Sequence, residues 1–207
     1  MKILIFASPR SGSTELSYAL SKLLKFKYSF EPFNPKNNIG LSEEQINDKG
    51  NNIPNNILIK VISTHRPRIW YLDYINKFDK VIYLTRKNTK TAIESLHWAI
   101  ERSGRFRPRN HPFSMDPWRM KYFFDASKVT INKWIVEHMI KCIEEVKTVA
   151  YLNKKSYILY EDLYSEDISV FNKTVDQIDL DLDKVELRDM LHPSKKYRKT
   201  FKPKPII

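Results

Sequence analysis

The chain has 207 residues, 42% of them hydrophobic and 13% aromatic; this excludes a disordered polymer and suits one domain with a sizeable core. Its formal net charge of +12 points to an anionic partner: a nucleotide, a nucleic acid, a sulfated or phosphorylated substrate, or a membrane surface. The single cysteine, Cys142, excludes a disulfide framework, a cysteine zinc cluster or a redox pair within one chain, and no apolar stretch reaches membrane-spanning length.

KILIFAS (2–8) is a short apolar run of the kind that forms a buried strand. Its start is too short and wrongly flanked for a signal peptide, so a cytoplasmic protein is expected. The loop SPRSGST follows, and then Leu16, Ala19, Leu20, Leu23 and Leu24 recur at helical spacing. FKYSFEPF (26–33) reads as a second strand, and the asparagine-rich stretch 34–56 as a surface excursion. ILIKVIS (57–63) is again a strand, IWYLDYINKF (69–78) a short helix, KVIYLTR (80–86) a strand, and 89–102 a helix. The segment SGRFRPRNHPFSMDPWRM (103–120) has breakers, arginines and aromatics but no period, as a functional lid would. A long helix over 127–152 carries the stripe Trp134, Ile135, Met139, Cys142, Ile143 and Val146, which reads as core. KSYILY (155–160) is the last strand, 169–178 a short helix, and 192–207 a basic, proline-containing tail.

Strands alternating with helices predict an α/β fold, three-layered, with a mostly parallel central sheet. Ligands of such sheets bind at the carboxyl ends of the strands, so the loops after 2–8, 57–63 and 80–86 are expected to share one rim. The first of these loops joins a strand to a helix. Its backbone N–H groups, together with the helix dipole, suit a phosphate. It has the length of a P-loop, but Ser13 stands where G-x-x-x-x-G-K-[ST] has lysine, which counts against a kinase holding a γ-phosphate with Mg²⁺. A plainer reading makes it a helix entry capped by Ser11 or Ser13.

PRSGST resembles the 5′-phosphosulfate loop of sulfotransferases that use 3′-phosphoadenosine 5′-phosphosulfate (PAPS), with the pattern P-[KR]-x-G-[ST]-[ST]. VIYLTRKNTKTAIESLHWA resembles that family's 3′-phosphate segment, in which a strand ends in arginine and a serine follows; Arg86 and Ser95 match. Their spacing is that of the bacterial trehalose and carbohydrate types. YILYEDLYSED and ISTHRP resemble two further stretches of the family, and the likeness covers about 3–165.

The resemblance implies a P-loop-like sulfotransferase domain that moves a sulfuryl group from PAPS to a hydroxyl or amine without an obligatory metal. The product is 3′,5′-adenosine bisphosphate, and the acceptor a small molecule, carbohydrate or lipid rather than nucleic acid. It assigns Arg10, Ser11, Gly12, Ser13 and Thr14 to the 5′ end of the donor, and Arg86 with Ser95 to the 3′-phosphate. A base must take the acceptor's proton, and two residues qualify: Glu31, placed like the glutamate of carbohydrate-type enzymes, and His65, placed like the histidine of the cytosolic type.

The cytosolic lysine two places before that histidine is Ser63 here. Arg10 is therefore expected to neutralise the bridging oxygen. Lys60 is set aside because strand alternation puts it opposite His65. Arg198 and Lys199 in the tail are expected to close over the nucleotide, and 104–120 to cover the acceptor. The competing functions are a P-loop nucleotide or nucleoside kinase, a basic nucleic-acid-binding module, and a related protein that binds nucleotide without turnover.

Overall fold

Three apolar runs in this sequence have no polar side, so the strands they form must be covered on both faces. In the computed structural model, which describes residues 1–34, 38–96 and 133–191, they become β1 (Lys2–Ala7), β3 (Ile57–Ile62) and β4 (Lys80–Thr85) at the centre of a five-stranded sheet. The edges are β2 (Lys27–Phe30) and β5 (Ile158–Leu159). The strand order is β2-β3-β1-β4-β5 and every pairing is parallel.

Parallel neighbours need crossovers, and these supply the outer layers. On one face lie α1 (Ser13–Leu23), α7 (Ile168–Ile178) and α8 (Lys184–Leu191), whose Leu16, Leu20, Phe171, Val175 and Leu187 pack on Ile3, Ile5, Leu58 and Ile82. On the other lie α2 (Glu43–Asn51), α3 (Arg68–Tyr74) and α5 (Lys133–Leu152), which cover Leu4, Phe6, Ile59, Val61 and Tyr83. The expected three-layer α/β architecture is therefore present. In α5, Met139, Cys142, Ile143 and Val146 are buried as the stripe requires, while the side chains of Trp134 and Ile135 lie outside the described set. Among the described residues, no helix is long and apolar enough to cross a membrane.

Three local expectations change. The excursion over 34–56 contains α2, whose entry is a capping box: the Ser42 side chain accepts from the Gln45 N–H and Gln45 returns the bond. The second strand stops at Phe30, because Glu31 takes a left-handed conformation (φ 46°) that no strand can continue. The last strand is only Ile158–Leu159, and Tyr160 already opens the short turn of helix α6 (Tyr160–Leu163).

The topology singles out one crevice. The chain leaves β1 toward β2 on one side of the sheet, whereas β4 and β5 lie on the other. Connections therefore diverge between β1 and β4, and the crevice at their carboxyl ends is where open α/β sheets bind ligands.

Candidate functional site

The loop after β1 is built to keep its helix end open. The Ser8 N–H donates to the Leu84 carbonyl, and the Ser8 and Thr85 hydroxyls lie 3.2 Å apart, tying the loop to β4. Ser11 is fully buried and donates to the Ser8 carbonyl at 2.7 Å, closing a tight bend. Arg10 (φ 61°) and Gly12 (φ 72°) both take left-handed backbone, so the chain turns back over the start of α1. Neither Ser11 nor Ser13 caps that helix; the N-cap is Gly12, without a side-chain bond. The first N–H groups of a helix have no partner within it; here they lie just past the carboxyl end of β1, at the positive end of the dipole.

Gly12 is required twice over. A Cβ there would lie 2.6 Å from Tyr164 and 2.8 Å from Tyr160, two rings stacked at 4.4 Å that roof the loop from α6. The Tyr164 hydroxyl donates to the Gly12 carbonyl at 3.0 Å. These tyrosines were not foreseen as site residues; the signal was the YEDLY spacing, which places both on one face of a helical turn.

Positive charge gathers on the β4 side. Arg10 Nε donates to Ser95 Oγ at 2.9 Å, where Ser95 belongs to α4, described over 89–96. Arg86 stacks on Tyr160, its guanidinium carbon 3.8 Å from the ring centroid, and donates to Thr91 Oγ1 at 3.2 Å. Arg86 Nε is buried and has no hydrogen-bond partner among the described residues. Burial, and next the charge of Arg86 against the opposing pull of Glu15, bring the Arg10 guanidinium below its ordinary value. Glu161 holds the turn by accepting from the N–H groups of Lys87 and Asn88. Two neighbouring guanidinium groups with an idle buried donor favour an anion between them.

On the β2 side of the same loop stands a second cluster. Lys60 Nζ lies 2.6 Å from Glu31 Oε1 and 2.8 Å from Thr14 Oγ1. Asn34 donates to Glu31 Oε2 at 2.8 Å, and His65 Nε2 lies 4.0 Å from that oxygen. The Lys60 and Glu31 side chains are only 4% and 12% exposed. Burial raises the Glu31 carboxyl, but the charge and hydrogen bond of Lys60, with Asn34 and His65, outweigh it and hold the group below the usual carboxylate range. Burial lowers Lys60, opposed by Glu31. Burial also takes His65 down to about 4, with Glu31 opposing and Lys60 and His138 assisting, so the imidazole is neutral at pH 7.

The crevice thus brings Arg10, Ser11, Gly12, Ser13, Thr14, Glu31, His65, Arg86 and Ser95 to one rim. Their internal arrangement differs from expectation: Arg10 turns toward Ser95, and Lys60 is the cation at Glu31. Strand alternation fails to separate Lys60 from His65 because β3 ends at Ile62 and the chain turns, the His65 N–H donating to the Ile62 carbonyl. Arg198, Lys199 and the segment 104–120 lie outside the described residues. An open groove of about 690 Å³ between β2 and α2 includes Phe30 and Pro32, which flank Glu31, but not the Glu31 side chain itself, so it lies beside the cluster.

No protein-family model, curated protein or solved structure matches the chain at a significant level.

Proposed function

We propose that the protein is a sulfotransferase that takes a sulfuryl group from PAPS to a hydroxyl or amine acceptor. The observation that carries this reading is the pair of unlike clusters flanking one helix-opening loop. A guanidinium pair with Ser95 stands on one side, and a buried Lys60–Glu31 pair on the other. A nucleotide bearing anions at both ends calls for two such stations.

PAPS supplies the group transferred: a bond forms from the acceptor oxygen or nitrogen to sulfur as the bond from sulfur to the 5′-phosphate oxygen breaks, the acceptor's proton passing to the base and 3′,5′-adenosine bisphosphate leaving. Arg86, with its idle Nε, and Ser95 fit the 3′-phosphate. The N–H groups at the start of α1 and the Thr14 hydroxyl hold the 5′ anion. The Lys60 ammonium, at Thr14, offsets the charge that builds on the leaving oxygen. The base is Glu31 or His65. Glu31 is ionised, and its tie to Lys60 keeps it weakly basic until that charge is drawn elsewhere. His65 is neutral and able to accept a proton.

The kinase reading draws one argument from the same cluster, since Lys60 brings to Thr14 the ammonium that the loop itself lacks. Thermal melts decide among the readings, because a ligand that binds only the folded form raises Tm. 3′,5′-Adenosine bisphosphate is expected to raise Tm. A rise with ATP–Mg²⁺ alone assigns a kinase, and one with a single-stranded oligonucleotide alone assigns a nucleic-acid-binding module.

A further inference from the structure

Lys60 is the only described side chain that hydrogen-bonds both the donor loop and the Glu31 carboxylate. It rises from the middle of β3 on the α1 side of the sheet, where it is 3% exposed, and the Phe30 ring packs 4.4 Å from its ammonium. A buried ammonium so confined cannot turn to water when its surroundings change; while it keeps its proton, it shares its charge among the groups it touches. Besides Glu31, the charges that it feels are Glu15 and Arg10 on the loop side, and His65 lies beyond the carboxylate.

We infer that an anion seated at Thr14 and the Glu31 carboxylate compete for the one ammonium of Lys60, so that filling the loop frees Glu31 to accept a proton. The inference rests on reading residues 8–14 as an anion-binding loop. Lys60 is in this sense a positioning residue: it ties the basicity of Glu31 to the presence of the donor, and an acceptor is deprotonated only where there is something to attack. Coupling of this kind is reciprocal. If the anion weakens the Lys60–Glu31 pair, the pair must weaken binding of the anion, and removing the carboxylate must strengthen it.

The test is a double-mutant cycle read by calorimetry. Dissociation constants are measured at pH 7.5 for 3′,5′-adenosine bisphosphate and for inorganic pyrophosphate with the wild type, Glu31→Gln, Lys60→Met and the double variant. Glu31→Gln is expected to bind roughly tenfold tighter than wild type, and the same change in the Lys60→Met background to alter affinity by less than about twofold. Glu15 and Arg10 are present throughout and cancel.

An equal gain in both backgrounds means that the carboxylate repels the anion directly, and overturns the inference, as does no gain. If the bisphosphate fails to bind while pyrophosphate shows the expected pattern, the competition stands and the sulfotransferase reading falls. If both bind but the gain ignores Lys60, the inference falls and that reading stands. If neither binds the wild type, both fall. Should Lys60→Met not fold, Lys60→Gln, which keeps a donor without the charge, takes its place in the cycle.

Discussion

Half-buried just beyond the end of β3, the His65 imidazole is near the Glu31 carboxylate, the Lys60 ammonium and His138, and among the described residues its Nδ1 has no hydrogen-bond partner. Folding brings it from the ordinary 6.5 to about 4, because burial and two positive or protonatable neighbours oppose its charge more than Glu31 favours it. Between those values the unfolded chain holds a proton at this site that the folded chain does not, so acidification draws the equilibrium toward unfolding. Stability is therefore expected to fall as pH drops from 7 to 5. His65→Gln should lessen that fall by on the order of 2 kcal/mol, as read from urea unfolding at the two pH values. His138, also lowered chiefly by burial, is present in both proteins and drops out of the difference. An equal loss in the variant would mean that His65 does not carry the effect. The same neutral imidazole bears on the base assignment: turnover removed by Glu31→Gln but not by His65→Ala identifies the carboxylate.

Between β1 and α1 the decisive position is Gly12, where two constraints can be separated by experiment. Gly40 has a similar backbone (φ 82°) with nothing among the described residues within 4 Å of a Cβ, whereas at Gly12 a Cβ would strike Tyr160 and Tyr164. Gly40→Ala thus measures backbone strain alone, about 1 kcal/mol. Gly12→Ala is expected to cost at least about 1 kcal/mol more and to weaken bisphosphate binding, as the loop is pushed off its tyrosine roof. Equal costs in denaturant unfolding would sink that account.

How far each element was legible follows from its surroundings. β1, β3 and β4 are covered on both faces, so they announce themselves as unbroken apolar runs. The edge strands are less covered: KYSF has no such run, and β5 keeps only two residues of the six expected. α2 is polar enough to pass for a loop, although its Ser42–Gln45 capping box was written in the sequence. In the site, Arg10, Glu31, His65, Arg86 and Ser95 were singled out by the family resemblance; the structure gathers them around one loop because each follows the carboxyl end of a strand or lies in the helix after one. Lys60 was misjudged because period-two alternation holds only within a strand, and Tyr160 and Tyr164 because a stacked roof has no periodic signature.

At the scale of the whole molecule, the sheet's strand order is what sets the two clusters apart. β1 lies between β3, which carries Lys60, and β4, which leads to Arg86, so the loop after β1 must run between a lysine–carboxylate station and a guanidinium station. A ligand that meets only the loop and Lys60 is indifferent to Arg86; one that also carries a 3′-phosphate is not. Adenosine 5′-monophosphate and 3′,5′-adenosine bisphosphate differ in that one group. The wild type is expected to prefer the bisphosphate by roughly 30-fold, the worth of a charge-assisted phosphate contact of about 2 kcal/mol. In Arg86→Ala the preference should shrink to a fewfold while affinity for the monophosphate changes little, since a contact made to the 3′-phosphate alone is lost only by the ligand that has one. The Tyr160 ring, on which Arg86 stacks, gives a second handle: Tyr160→Leu keeps the arginine but removes its platform, and should give an intermediate preference. If Arg86→Ala weakens both ligands by the same factor, the guanidinium acts on the loop rather than on the 3′ end. The two clusters would then form a single anion site, too small to call for a doubly phosphorylated nucleotide.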